Sequence, residues 1–527
     1  LGLVRRLPDD ALYYLEIAAH VGRGGGFTFD GVHSTNGFHP LWQLLVVPVV
    51  GVFGPGTDAA MRGVLLLGLV CTAASVLLVV RLVGRLVGLA PALFGAIVAT
   101  QFALSPASPY TPSRWVNGME GPVVMLSLAG LAIALSAADR DGTRGRAFIV
   151  GLMSAVLVVS RLDFAPLLLV VGAAIALRWR SSSRSLAWLG GVCAVGVPAA
   201  IWWLLSWGHV LSTSATVKEA VLSRTYEERF GGRTSLGYAG YVGTTAWEYV
   251  RTLRVWAVLA DRALVAEASG SWAALARVCT LVLVALVGLG VIAAVRSWLS
   301  TKRAMPSARM SADAWGLGVT LVIVALKALA DIVTAPLWAA GWYAAPQRLA
   351  VGFAVGVFAW LGVRLVATRS RPFVVAAVAC LVLLALPVNA LASRDRLEPK
   401  HDEFWQDQID LAADWILTDG PSGIYGASDA GLLGYRLDGD FTVVNLDGLV
   451  NDYAFAELVK SGASLRVRLR ATRVDYFVGR LDDARARAIL TCGKELWRSP
   501  LQVPYVDSLS GYGEAPVRVI DVRSCVV

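Results

Sequence analysis

The sequence predicts a mostly α-helical protein that crosses a membrane many times and ends in a small α/β domain outside the bilayer. Of its 527 residues, 56% are hydrophobic and 16% are charged, against roughly 25% charged in an average soluble domain. A water-soluble fold cannot bury that much apolar surface, so lipid is expected to cover part of it. The net charge of +9 does not indicate nucleic-acid binding, because the basic residues form short clusters between apolar runs.

Most of the apolar runs have the length that a bilayer requires. Eight of them lie near residues 61–80, 88–106, 119–137, 186–207, 273–295, 314–332, 347–366 and 372–391. The stretch 147–178 is too long for one span and is interrupted by Arg161 and Asp163. It is therefore predicted to form two short helices joined at a tight tip, which brings the total to about ten spans.

The run at residues 41–54 is short for a span and contains Pro48 and two glycines. We interpret it as a re-entrant or interfacial helix, because counting it as a span would move residues 1–40 to the opposite side. This interpretation leaves Asp9 outside the membrane. It also predicts that one further span precedes Leu1.

Loop charges predict the orientation. Five basic connections fall on one face if there are ten spans: Arg81/Arg85, Arg140/Arg144/Arg146, Arg178/Arg180/Arg184, Arg296/Lys302/Arg303/Arg309 and Arg364/Arg369/Arg371. The positive-inside rule makes that face cytoplasmic. A first loop at 1–60 and a large loop at 208–272 then lie outside. The membrane domain is predicted over 1–391 and an extracytoplasmic domain over 392–527.

The C-terminal segment has the pattern of a folded α/β domain. His401–Thr418 reads as an amphipathic helix, because its apolar residues recur near helical spacing. Strand-like runs follow at Gly423–Tyr425, Phe441–Val444, Val474–Val478 and Val517–Val522. Cys492 and Cys525 lie in this domain and can form a disulfide in an oxidising compartment; two free thiols are the alternative.

The first loop carries the most chemistry. It contains the acidic pair Asp9-Asp10, then aromatic residues, the glycines of 24–26 and the segment Asn-Gly-Phe-His-Pro-Leu-Trp at 36–42. Carboxylates at a helix N-terminus can act simply as a cap. A loop this polar and aromatic beside membrane spans also suits a catalytic site.

This combination resembles the first external loop of the GT-C glycosyltransferases, polytopic enzymes that take a sugar from a polyprenyl-phosphate carrier. Further segments match in order: Asn117–Glu120, Ser160–Asp163, Ser212–Lys218 and Gly341–Arg348. Several members, the mycobacterial arabinofuranosyltransferases among them, carry an external C-terminal domain. The resemblance covers the whole membrane part, and it implies a GT-C-like fold.

In that family an aspartate of the first external loop is the general base. The resemblance assigns this role to Asp9, with Asp10 as its helper or alternative. The pair can alternatively hold a divalent cation, as oligosaccharyltransferases of the superfamily do. His20, His33 and His39 also lie in this loop, but their spacing matches no familiar metal pattern, so no metal site is predicted from them.

The leaving polyprenyl phosphate needs cationic partners at the outer membrane boundary. The candidates are Arg161, Lys218, Arg348 and Arg114; snorkelling to lipid headgroups is the alternative for each. Lys327 and Asp331 lie one turn apart in a predicted span and are expected to form an internal ion pair.

Substrate contacts are expected from polar and aromatic residues of the same segments. These candidates are Tyr13, Asn36, His39, Glu120, Asp163, Trp342, Tyr343, Asp429 and Asp447. The last two follow strand-like runs, where loops often carry binding residues, although aspartate and glycine also simply form turns.

Three functions compete. The first is transfer of a sugar from a polyprenyl phosphate to a hydroxyl of a cell-envelope glycan, glycolipid or protein, outside a bacterial plasma membrane. The second is a transporter or flippase of lipid-linked sugar, and the third is a non-catalytic lipid-binding scaffold. The high alanine, valine, leucine, arginine and glycine content is typical of a high-GC bacterium, such as an actinobacterium.

Overall fold

A computed structural model describes residues 7–104, 116–209, 211–218, 285–295, 310–334, 344–367, 405–480, 489–501, 504–507, 511–514 and 516–526. The described residues before 368 are mostly helical, and those after 404 form a mixed α/β domain. We call the second part the tail domain.

The described residues of the membrane part form a series of helices. They are α1 (Asp9–Gly22), α2 (Pro40–Phe53), α3 (Asp58–Val87), α4 (Leu89–Leu104), α5 (Gly121–Asp141), α6 (Arg144–Ser160), a 3₁₀ helix (Leu162–Leu167), α7 (Leu168–Trp179), α8 (Ser182–Trp207), α9 (Ala285–Val295), α10 (Ala312–Thr334) and α11 (Ala345–Ala367). Helix α6 packs on α8, α11 on α4 and α10 on α5.

Six described helical segments are long and apolar enough to cross a membrane. They are Asp58–Val87, Gly121–Asp141, Leu162–Trp179, Ser182–Trp207, Ala312–Ile332 and Ala345–Leu365. The helices α2, α4 and α9 are apolar but shorter. The predicted span at 372–391 lies outside the described residues, and the number of ten spans stays a prediction.

The break predicted at Arg161 is present. Helix α6 ends at Ser160, and Arg161 adopts an extended conformation with φ −162° and ψ 110°. The 3₁₀ helix that follows contains Pro166, which cannot donate a backbone hydrogen bond in a regular helix. The chain therefore turns at this tip and presents Arg161 and Asp163 there.

The two ends of the helical bundle differ in charge. At one end Arg178 donates to Asp139 at 2.8 Å, and Arg140 pairs with Asp313. Asp139 and Arg140 lie in the last turn of α5, Arg178 at the end of α7 and Asp313 at the start of α10. The other end meets α1 and the tail domain, so the described basic connections lie opposite the acidic pair, as expected from the loop charges.

The tail domain contains a five-stranded sheet with helices around it. Its elements are α12 (Trp405–Asp419), β1 (Ile424–Ala427), α13 (Gly431–Leu437), β2 (Thr442–Asn445), α14 (Tyr453–Lys460), α15 (Leu465–Thr472), β3 (Tyr476–Arg480), β4 (Lys494–Arg498), β5 (Pro504–Asp507), β6 (Gly511–Glu514), β7 (Val517–Asp521) and α16 (Arg523–Val526). The sheet order is β2-β1-β3-β7-β4. Strands β2, β1 and β3 are parallel, and β7 is antiparallel to β3 and β4.

The predicted disulfide between Cys492 and Cys525 is present. It ties the segment before β4 to the C-terminal helix α16. The four predicted strands match β1, β2, β3 and β7 to within two residues at each end. Strands β4 to β6 were not predicted, because their sequences lack a sustained alternation of apolar residues.

One hydrophobic cluster joins the tail domain to the membrane part. It includes Leu12 and Ile17 of α1, Phe29 of the following loop, and Leu432 and Leu433 of α13. The contact is close, because a Cβ atom at Gly434 would lie 2.8 Å from the ring of Phe29. The tail domain is therefore docked on α1 through a packed apolar interface, which fixes its loops beside the acidic pair.

Candidate active site

The acidic pair occupies the first turn of α1, and its two members face different partners. Consecutive residues of an α-helix point about 100° apart around the axis. Asp9 points to the tail domain, whereas Asp10 points into a cavity at the junction of the membrane part and the tail domain.

Both carboxylate oxygens of Asp9 accept hydrogen bonds from the tail domain. Oδ2 accepts from the backbone N–H of Gly431 and Oδ1 from that of Leu432, each at 2.9 Å. These amides begin α13, where backbone N–H groups have no partner within the helix. A Cβ atom at position 431 would lie 2.3 Å from the carbonyl oxygen of Asp9, so only glycine permits this approach.

The environment of Asp9 shifts its titration toward neutral pH. Burial and, secondly, the nearby Asp429 raise the pKa of Asp9 from 3.8 to about 7, although the amides of Gly431 and Leu432 act in the opposite direction. The carboxyl that anchors the tail domain therefore changes charge near pH 7.

Replacing Asp9 with asparagine is expected to remove one component of the pH dependence of thermal stability. The folded-state pKa of Asp9 lies above its ordinary value. The stability that protonated Asp9 contributes is therefore fully present below about pH 4 and is lost as the pH rises to about 7. The variant lacks this loss, but it leaves one α13 amide unpaired at a cost of about 1–3 kcal/mol. Thermal melts of both proteins between pH 5 and pH 8 test this; parallel curves would contradict it.

Asp10 lines a cavity between α1, the start of α5 and the tail domain. Its lining residues are Asp10, Tyr13, Tyr14, Ile17, Gly37, Phe38, His39, Met119, Glu120, Ser214, Lys218, Leu449 and Val450. The Asp10 side chain is 29% exposed, and its Oδ2 lies 4.0 Å from Lys218 Nζ. Burial raises the pKa of Asp10, while Lys218 acts to lower it. This carboxylate therefore faces the cavity next to a cationic side chain.

The tail domain closes one side of the cavity. Leu449 follows β2, and its carbonyl oxygen accepts a hydrogen bond from Thr213 Oγ1 at 3.0 Å. A Cβ atom at Gly37 would lie 1.8 Å from the same carbonyl oxygen. The first loop, residues 213–218 and the tail domain thus meet around Asp10.

Glu120 lies deep in the cavity within a group of polar partners. It is 1% exposed and precedes α5 directly. Its Oε1 lies 3.2 Å from Arg161 Nη1 and 3.5 Å from His39 Nε2, and Tyr14 donates to its Oε2 at 3.4 Å. The predicted site residues His39 and Glu120 are therefore brought together.

A chain of charges continues from Glu120 into the membrane part. Arg161 donates through Nε to Asp163 at 3.1 Å, and Asp163 Oδ2 lies 3.1 Å from Lys327 Nζ. Lys327 also pairs with Asp331, so the expected internal ion pair is present. Arg161 and Asp163 lie behind Glu120 and do not line the cavity.

Tyr13 connects the cavity to the tail domain. Its hydroxyl accepts from Asn445 Nδ2 at 3.0 Å and donates to Asp447 Oδ2 at 3.4 Å. Asp429, in the loop after β1, pairs with Arg480 at 2.7 Å. Both tail loops predicted as binding loops thus lie at the acidic end of α1.

The remaining predicted site residues lie elsewhere. The Asn36 side chain bonds to backbone groups. Its Nδ2 donates to the carbonyl oxygen of Leu211 at 3.2 Å, and its Oδ1 accepts from the N–H of Thr213 at 2.8 Å. Arg348 is 4% exposed near the start of α11. Arg114, Trp342 and Tyr343 lie outside the described residues.

Sequence reasoning missed several members of the site. Tyr14, Ser214 and Leu449 line the cavity, and Gly431 receives Asp9. Gly431 could have been found from the sequence, because it follows Asp429 in a loop after a predicted strand and such loops often contribute to binding. No local pattern connects Leu449 with Asp10.

Comparison with known proteins shows the fold. No protein-family model matches the chain, and no curated protein matches it in sequence. In structure it is similar to ArnT from Cupriavidus metallidurans bound to undecaprenyl phosphate, with a TM-score of 0.52. The alignment covers 98% of this chain and 95% of ArnT, at 14% identity.

The chain has the GT-C fold. The oligosaccharyltransferase of Archaeoglobus fulgidus also matches, in complex with zinc and sulfate, with a TM-score of 0.45 and 16% identity over 97% of this chain and 69% of that one. The similarity to ArnT confirms the GT-C-like fold class predicted from the sequence.

Proposed function

We propose that the chain is a GT-C glycosyltransferase that moves a sugar from a polyprenyl-phosphate donor to a hydroxyl acceptor, with Asp10 as general base. The placement of Asp10 carries this proposal. Its carboxylate lines a polar cavity beside Lys218, whereas both oxygens of Asp9 are engaged by backbone amides. The resemblance favoured Asp9 as the base, and the geometry favours its neighbour.

The chemistry requires a base and a cation in one place. Asp10 takes the proton of the acceptor hydroxyl as that oxygen bonds to the anomeric carbon of the donor. The bond between this carbon and the phosphate oxygen breaks, and the phosphate leaves with the electron pair. Lys218, whose Nζ lies 4.0 Å from Asp10, stabilises the negative charge that develops on the leaving group.

An apolar cavity suits the lipid part of such a donor. It lies between α3, α5, α10 and α11. Pro346 and Leu349 line it, and they flank Arg348. We therefore retain Arg348 as a further phosphate partner in this proposal, whereas Arg161 is held between Glu120 and Asp163 and does not line the Asp10 cavity. The binding of undecaprenyl phosphate by ArnT supports a polyprenyl carrier.

We assign the site to the outer face of a bacterial plasma membrane. The described basic connections at Arg140 and Arg178 lie at the opposite end of the bundle from Asp10, which the positive-inside rule makes cytoplasmic. The disulfide of the tail domain also suits an oxidising compartment. The acceptor is then a glycan, glycolipid or protein of the cell envelope.

Assay of the purified chain with a panel of polyprenyl-phosphate sugars tests the proposal. Transferase activity releases free polyprenyl phosphate in step with acceptor glycosylation. A transporter would instead move the intact donor across a vesicle membrane, and a scaffold would bind the donor without turnover. Either of these results across the panel would contradict the proposed function.

Filling the apolar cavity is expected to weaken donor binding. Ala354 of α11 lines this cavity, and a tryptophan there occupies the space of the prenyl chain. We expect Ala354→Trp to raise the KM for the donor about 5- to 150-fold, which corresponds to about 1–3 kcal/mol of overpacking. The matched control is Ala73→Trp on the exposed side of α3. Equal KM values for the two variants would exclude this cavity as the lipid site.

A further inference from the structure

A second group of ionisable side chains lies farther along α1, away from the proposed active site. Glu16 and His20 are one turn apart on α1, and Asp438 follows α13 in the tail domain. One ligand atom from each lies within 4.8 Å of the other two. Among the described residues, this is the only group of three or more such side chains arranged in this way.

Glu16 gives the first sign of a ligand. Glu16 is 3% exposed and lines a cavity together with His20 and Asp438. The Oε2 atom of Glu16 is buried and receives no hydrogen bond from any side chain or amide in the described part of the chain. A buried carboxylate oxygen without a donor is costly, and a cation removes that cost.

His20 gives the second sign. Its Nδ1 lies 3.0 Å from the carbonyl oxygen of Thr28, which can only accept, so Nδ1 carries the hydrogen. The lone pair of the neutral ring is then on Nε2, which lies 3.7 Å from Glu16 Oε1. Histidines that bind metals usually donate their other ring nitrogen to such an acceptor.

We propose that Glu16, His20 and Asp438 bind one divalent transition-metal ion of the zinc class, which fastens the tail domain to α1. One imidazole nitrogen and two carboxylates favour zinc over calcium or magnesium, which prefer oxygen ligands. Arg23 also pairs with Asp438, and it orients this carboxylate as an outer partner. A carboxylate has enough lone pairs for both contacts.

A proton shared between Glu16 and Asp438 is the competing arrangement. Burial and the nearby Asp438 raise the pKa of Glu16 well above its ordinary value, whereas Arg23 acts to lower the pKa of Asp438. A shared proton stabilises the docked state at low pH and is lost as the pH rises. A metal ion instead binds better as the pH rises, because its ligands must be deprotonated.

Zinc titration of the full chain distinguishes these arrangements. The protein is stripped with a chelator, and bound zinc and the melting temperature are measured against added Zn²⁺ at pH 6 and pH 8. We expect one zinc per chain, a zinc-dependent rise in melting temperature that is larger at pH 8, and at least tenfold weaker binding in Glu16→Gln and His20→Gln. Asp440→Asn, an exposed residue of the same cavity, is the control and should bind like wild type.

Substitution of cobalt for zinc gives a test that needs no variant. Co²⁺ bound to the intact protein should show the visible absorption of a nitrogen- and oxygen-ligated site, and zinc should displace it. Zinc that binds without stoichiometry, or that binds equally well to Glu16→Gln and wild type, overturns the proposal. A zinc-independent stability that falls from pH 6 to pH 8 and is lost in Glu16→Gln establishes the shared proton instead.

Discussion

Replacing Asp10 with asparagine is expected to lower kcat for sugar transfer by about 10²–10⁴-fold, the usual contribution of a general base. Asparagine has nearly the same shape but takes no proton, so the donor should bind as in wild type. Wild-type activity should also fall as the pH drops through the pKa of Asp10, which burial raises, because only the ionised carboxylate acts as a base. Single-turnover kinetics and donor binding measure the two effects separately.

Asp9→Asn is the matched control, since it makes the same chemical change one residue away. Its carboxylate contacts the amides of α13 and does not line the cavity. We expect it to keep at least about a tenth of the wild-type kcat, because general-base assistance remains. A loss in Asp9→Asn that equals or exceeds the loss in Asp10→Asn would return the base to Asp9.

Replacing Arg161 with methionine is expected to have the largest effect on stability. Arg161 is 6% exposed and lies between Glu120 and Asp163. Its removal leaves the buried charge of Glu120 without its guanidinium partner, a change that typically costs about 3–5 kcal/mol. The thermal midpoint of the detergent-purified chain should therefore fall markedly.

Two further variants show whether the effect comes from the unpaired charge. Arg146→Met breaks an exposed pair with Asp141 and should cost at most about 1 kcal/mol. The double variant Arg161→Met with Glu120→Gln should recover part of the lost stability, because the amide carries no charge to leave unpaired. An Arg161→Met protein as stable as Arg146→Met would show that the charge chain does not stabilise the fold.

Local patterns in the sequence predicted the architecture well. Spanning helices follow from hydropathy, and the interruption at Arg161 and Asp163 predicted the turn between α6 and α7. The sequence also singled out the acidic pair and Glu120, which the structure places at the junction with the tail domain. These features depend on neighbours within one or two helical turns, so a single sequence contains the necessary information.

The roles within the site depend on contacts that no local pattern records. Asp9 and Asp10 are chemically identical, and the amides of Gly431 and Leu432, more than 420 residues away in sequence, distinguish them. Similarly, Glu16 and His20 are helical neighbours, but Asp438 completes their group only through docking of the tail domain. Long-range docking therefore decides which carboxylate contacts the tail domain and, in our proposals, which one acts as the base and which ones bind the metal.

The different directions of Asp9 and Asp10 have a consequence for comparing this chain with its relatives. Two adjacent acidic residues look interchangeable in an alignment. A one-residue error in aligning α1 would nevertheless exchange the residue that contacts the tail domain, Asp9, with the proposed base, Asp10. A homologue that keeps only the second acid should still transfer sugar while holding its outer domain loosely. One that keeps only the first should fold tightly and be inactive, so alignments of this region need to be correct to the single residue.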